Sequence, residues 1–187
     1  MRSLIWIALA AITFFSACRR EPEIPVFYSL PEFSLMNQNE QRVTLHDLAG
    51  KVWVADFIFT NCGGTCPLMT EKMRKLQDAL PPAVHFVSFT VDPARDTTKI
   101  LAAYAKEHAA NQERWSFLTG DKQDLFDICI KGFKLPLDTE GGTPAEPIAH
   151  STRFVLVDKK GDIRGYYSGT EEEEVKRLAS DVKNILL

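Results

Sequence analysis

The sequence predicts an α/β domain, and three observations predict it. Near-continuous apolar runs occur at residues 51–59, 85–91 and 153–157. Such runs mark strands covered on both faces. Helical apolar stripes fall between them, and a strand pair followed by an amphipathic stretch closes the chain. Strands alternating with helices place the helices against the faces of one sheet. The 187 residues, 45% of them hydrophobic, suffice for one domain with a full core. A net charge of -3 carries no basic footprint for nucleic acid. The aromatic and charged content argues against disorder.

Residues 1–18 precede the fold. Arg2 is a short positive start, and residues 4–15 are an apolar core too short to span a bilayer comfortably. Ser16 and Ala17 lead into Cys18, which resembles a bacterial lipoprotein signal in which that cysteine is lipidated. Phe15 stands where Leu is usual, so an ordinary secretory signal or an uncleaved anchor is the competing reading. Residues 19–30 open with the charged Arg19–Arg20–Glu21 and hold Pro22 and Pro25, with Pro31 following. They are expected to form a semi-extended tether reaching about 40 Å at about 3.1 Å per residue. The domain proper is expected over 31–187, anchored by lipid in the bacterial envelope and facing the periplasm or the cell exterior.

Residues 33–35 and 42–45, joined through 37–40, read as an N-terminal hairpin. After the strand at 51–59, Met69, Met73, Leu76 and Leu80 form one helical stripe. Asp96–Thr97 is a helix start, and Leu101, Tyr104, Ala105 and His108 follow on one side. Residues 134–149 are loop-like and deliver His150 to the strand at 153–157. Residues 163–167 pair back through Lys160–Gly161–Asp162. Thr170 and Glu173 form a capping-box pattern before the stripe Val175, Leu178, Ala179, Val182 and Ile185. This order suits a thioredoxin-like fold with an added N-terminal β-hairpin and a loop insertion before the last strands.

Four cysteines carry the chemistry. Cys18 belongs to the leader, and Cys129, alone in an apolar run, reads as a small core residue. Cys62 and Cys66 follow a buried strand and open a helix with Pro67 in its first turn. A helix N-terminus stabilises anions, so these thiols are expected to ionise more easily than free Cys. At helical spacing both sulfurs can face a single ion. Disulfide closure needs a tighter, non-helical turn, which Gly63 and Gly64 permit. In an exported protein such a pair stays reduced only if a reductant serves it. His150 stands where thioredoxins face their cysteines with a cis-proline loop, and two thiolates with one imidazole form a soft set suited to copper. His46, His85 and His108 read as structural, and Met69 and Met73 as core. Asp56 shares a buried strand face with Val52, Val54 and Ile58. It is expected either to find a donor or to serve proton transfer near the thiols.

Four ordered segments resemble the SCO/SenC family of copper-binding assembly proteins: residues 56–67, 90–97, 115–120 and 150–158. The resemblance runs from about Pro31 to the C-terminus. It implies a thioredoxin-like fold and copper binding at Cys62, Cys66 and His150. It also implies a role in building the dinuclear copper centre of cytochrome c oxidase subunit II. Some members of the family instead reduce the acceptor's disulfide, so a thiol–disulfide oxidoreductase is the alternative. Gly63 departs from the proline common after the first cysteine, which leaves the balance between carrier and reductant open. A peroxiredoxin-like peroxidase is disfavoured, because Phe59 and Gly63 stand where a threonine belongs. The expected partners are subunit II or another copper acceptor, a thiol reductant and a membrane, with no nucleic acid.

Overall fold

A computed structural model describes residues 24–138 and 148–186. Cys18, most of the expected tether and the Gly141–Gly142 stretch lie outside the described residues. The chain enters as a short edge strand, β1 (Tyr28–Ser29), followed by the pair β2 (Ser34–Asn37) and β3 (Arg42–Thr44). Next come β4 (Val52–Ile58), α1 (Cys66–Ala79), β5 (Val84–Thr90), α2 (Thr98–Glu107) and β6 (Trp115–Thr119). Helix α3 (Lys122–Asp127) runs on into a π-turn, Ile128–Gly132. A two-stranded ribbon joins β7 (Leu137–Asp138) to β8 (Ala149–His150). Strands β9 (Arg153–Val157) and β10 (Asp162–Ser168) and helix α4 (Glu172–Leu186) complete the fold.

The main sheet has eight strands in the order β1-β10-β9-β4-β5-β6-β2-β3. Strands β4, β5 and β6 are parallel and central, and β9 and β10 extend the sheet antiparallel on one side. Every residue of β4 is buried, which is why its sequence is a continuous apolar run and not an alternating one. Successive side chains leave a strand on opposite faces. Trp53, Ala55 and Phe57 therefore join one core with Phe89, Cys129 and Phe133. Val52, Val54 and Ile58 join the other, with Met69, Met73 and Leu76 of α1 and Leu178 and Val182 of α4. Cys129 is a fully buried core residue, as are Met69 and Met73.

The structure refines the sequence expectation at several local features. Residues 24–30 do not hang free: Phe27 N–H donates to the Ile163 carbonyl, Leu30 N–H to that of Gly161, and Arg164 holds the carbonyls of Ile24 and Pro25. The sheet edge offers these residues backbone partners, which a solvated tether lacks. The α2 start falls at Asp96–Thr97 as expected, with the Thr97 hydroxyl accepting from Ile100 N–H while Asp96 is buried. At α4 the helix starts one residue later than a Thr170 cap requires; the Thr170 hydroxyl meets Ser168 Oγ and its carbonyl takes Lys72. His150 arrives on the small ribbon rather than in the sheet, with Leu137 opposite it. Gly169 N–H donates to the Thr152 carbonyl, and a Cβ at Gly169 would stand 2.9 Å from that oxygen. Only glycine lets the chain pass so close to the segment that follows His150.

Candidate metal centre

Cys66 and His150 come together beyond the C-terminal end of β4, with Cys62 in the turn between β4 and Cys66. Cys66 is the first residue of α1, Cys62 lies in the turn before it, and His150 comes from β8. Cys66 is fully buried and Cys62 nearly so, and neither is in a disulfide. Cys66 Sγ and His150 Nε2 are 3.3 Å apart. His150 Nδ1 lies 3.0 Å from the Ser151 carbonyl oxygen. A carbonyl can only accept, so Nδ1 carries the ring proton and Nε2 presents its lone pair to Cys66. The Cys66 thiol then donates to Nε2. Phe59 packs edge-on against the imidazole, ring centroids 5.7 Å apart, and fixes its plane.

The electrostatics correct one expectation. The start of α1 should make Cys66 acidic, yet burial pushes this thiol well above the ordinary range. The neighbouring Cys62 thiol adds to the rise, and the Phe59 backbone N–H works against it without prevailing. Desolvation of this fully buried thiol is the dominant cause. Cys66 is thus a protonated thiol until something replaces its proton.

A metal ion is suited to do that. Cys66 Sγ and His150 Nε2, 3.3 Å apart, are close enough that one ion would be held by both. The donor set, thiolate sulfur with a neutral imidazole, is that of a soft ion. Among the described residues no three His, Cys, Asp or Glu side chains close around one point. Cys66 is paired with His150, and the Cys62 thiol, on the glycine-containing turn, lies within hydrogen-bonding reach of Cys66.

Behind the site lie two buried acids. Asp56 is fully buried on the α1 side of β4, and neither carboxyl oxygen has a hydrogen-bond partner. Burial raises it to about 7, and Ser88, its register neighbour on β5, offsets only part of the rise. The anion of Asp56 would push Cys66 higher still. Asp96 is also fully buried, but it accepts from Thr60 Oγ1 at 2.5 Å, Thr60 N–H at 3.1 Å and Thr90 Oγ1 at 2.6 Å. It therefore ties the turn that leads to Cys62 onto the end of β5. The sequence pattern reads Asp96 only as a helix start and Phe59 only as the end of a strand. Neither residue carries a local signal for its role, because Thr60 and Thr90 for Asp96, and His150 for Phe59, lie at a distance in the sequence. His46 is exposed on a turn, His85 is half-buried on β5, and His108 stacks on Tyr104 at the end of α2. The structure does not bring any of these three to the site.

Comparison with known proteins gives the family. The SCO1/SenC family model matches residues 26–187. The chain belongs to the SCO1/SenC family. A relative in Bacillus subtilis, a SCO1 protein homolog, is 36% identical over 164 residues, covering 86% of this chain and 84% of its own length. A relative in Stutzerimonas stutzeri, described as a candidate copper-binding protein, is 31% identical over 76% of this chain and 71% of its own length. The crystal structure of a SCO1/SenC family lipoprotein from Bacillus anthracis matches with a TM-score of 0.77 and 34% identity. That match covers 86% of this chain and 96% of the other. The fold is accordingly the thioredoxin-like one of SCO proteins. Among the described residues no helix is long and apolar enough to cross a membrane.

Proposed function

We propose that this SCO1/SenC protein is an envelope copper carrier that loads one ion on Cys62, Cys66 and His150. Its acceptor is the dinuclear copper centre of cytochrome c oxidase subunit II or a similar copper-accepting site. The observation that carries this reading is the Cys66–His150 contact at 3.3 Å, with the imidazole tautomer set by Ser151. Cu(I) displaces the Cys66 proton and takes both thiolates, and His150 completes a three-donor set. Three donors leave an open side where an incoming ligand of the acceptor can begin exchange. Because Cys66 is hard to deprotonate, loading releases protons and strengthens as pH rises. Residues 1–18 supply the membrane anchor, through lipid on Cys18, and a thiol reductant keeps the pair open.

Thiol–disulfide exchange is the second reading, favoured by the Cys62 thiol lying close enough to hydrogen-bond Cys66. In that chemistry the buried, protonated Cys66 is a poor nucleophile and Cys62 attacks. Anaerobic titration of the reduced protein with Cu(I) and Cu(II) separates the readings. The carrier reading expects one tight equivalent, lost in Cys66→Ser, with His150→Ala weakening Cu(II) far more than Cu(I). No tight site, together with reduction of a disulfide-bonded acceptor peptide by the metal-free protein, would establish the reductase instead.

A further inference from the structure

Where the chain enters the fold it carries three consecutive large apolar residues in the open. Val26 is 57% exposed, Phe27 48% and Tyr28 48%. They lie on and just before β1, the edge strand of the main sheet. Successive side chains of an extended segment point to opposite faces. An apolar triplet therefore cannot pack all its members against one face of a protein. It does suit an edge dipped into the boundary between water and lipid, where Phe and Tyr are at home on both sides of a strand. The segment is held rigidly for such a role. Phe27 N–H is bonded to Ile163, Phe27 stacks edge-on against Tyr166, and Arg164 grips the carbonyls of Ile24 and Pro25. Lys134 lies over the Tyr28 ring at 5.7 Å, so a cation accompanies the aromatic edge.

The position of the anchor says what covers this edge. Cys18 is six residues before Ile24, a span of at most about 20 Å even when fully extended. A chain fixed in lipid at residue 18 thus holds residues 26–28 against or close to the membrane surface. We infer that Val26, Phe27 and Tyr28 form a membrane-contact edge that rests on the lipid surface and orients the domain. This rests on the reading of residues 1–18 as a membrane anchor. The charges next to the anchor, Arg19, Arg20, Glu21 and Glu23, cancel. Contact should therefore occur on neutral and anionic lipid alike.

The orientation has a consequence for copper transfer. Tyr28 pairs with Ile163, Ile163 with Val157, and Val157 with Trp53 at the start of β4. The thiols follow the other end of β4, so the edge and the metal site are separated along the strands as well as across β10 and β9. At about 3.3 Å per residue and about 4.8 Å per strand, the site stands about 20 Å from the contact edge. The domain would lie down on its edge with the copper site open to the aqueous side.

The test uses the full chain in phosphatidylcholine vesicles whose acyl chains are brominated. Val26→Trp reports the edge, and Ile100→Trp, an exposed site on α2 far across the sheet, is the control. Subtracting the parent chain removes the signals of Trp6, Trp53 and Trp115. The expected result is at least twofold quenching of Val26→Trp with none of Ile100→Trp, repeated when half the lipid is phosphatidylglycerol. A chain that does not float with the vesicles would remove the anchor reading and this inference with it. A chain that floats while Val26→Trp is no more quenched than Ile100→Trp would overturn the inference alone. So would a Val26→Trp signal that is shielded without bromine quenching in a chain that cross-links to a second copy, since the edge would then be a strand-pairing surface.

Discussion

Asp56 and Asp96 are both fully buried acids near the same two cysteines, and their surroundings are opposite. Asp96 lies at a corner where β4, β5 and the turn into α2 converge, and three donors from two threonines meet it. Asp56 lies within the apolar layer between the sheet and α1, where Ser88 is the one polar neighbour that eases its burial. The first corner is a fixed brace for the loop that carries Cys62. The second is a store of unfavourable charge behind Cys66. Burial alone therefore says little about what a carboxyl does; the donors around it decide whether it holds geometry or holds a proton.

The largest expected effect lies at Asp56. Its folded pKa of about 7 is raised above the ordinary 3.8 by burial. Between those two values the folded state keeps a proton that the unfolded state has lost. Stability from this group is thus full below about pH 4, falls as pH rises, and is lost above about pH 7. The span is on the order of 4 kcal/mol. Denaturant unfolding of the metal-free protein at several pH values should show that decline, and Asp56→Asn should flatten it. An unchanged slope in Asp56→Asn would mean the proton is held elsewhere. The next effect is at the brace. Asp96→Ala leaves the hydroxyls of Thr60 and Thr90 and one backbone N–H without their acceptor, which should cost about 3 kcal/mol. The same change should speed amide exchange in residues 60–65. The smallest is Thr60→Val, which removes one donor and should cost about 1 kcal/mol. Equal effects of Asp56→Asn and Asp96→Ala on loop exchange would erase the distinction between the two acids.

Much of this was legible in the sequence, for reasons that the same comparison makes plain. The fully covered β4, the α1 stripe of Met69, Met73 and Leu76, and the α4 stripe of Val175, Leu178 and Val182 were visible because burial writes periodicity. Cys62, Cys66 and His150 stood out as soft donors in a strand–helix turn and before a late strand. Partners distant in sequence were not legible. Nothing local shows that Asp96 reaches Thr60, 36 residues away, or that Phe59 braces a histidine from residue 150. The expectation of acidic thiols failed at Cys66 for a similar cause. A helix terminus is a local feature, whereas the burial that defeats it comes from the whole core. The docked stretch 24–30 was hidden because Pro22, Pro25 and Pro31 look like a free linker until an edge strand is present to receive it.

The measurement that bears most directly on the copper site is X-ray absorption at the copper edge of the protein loaded with one equivalent of Cu(I). Two sulfur neighbours and one imidazole nitrogen, with the nitrogen lost in His150→Ala and one sulfur lost in Cys62→Ser, are the expected result. A spectrum of sulfur neighbours alone that His150→Ala leaves unchanged would contradict the site, because the 3.3 Å pair of Cys66 and His150 would then have no part in holding the ion.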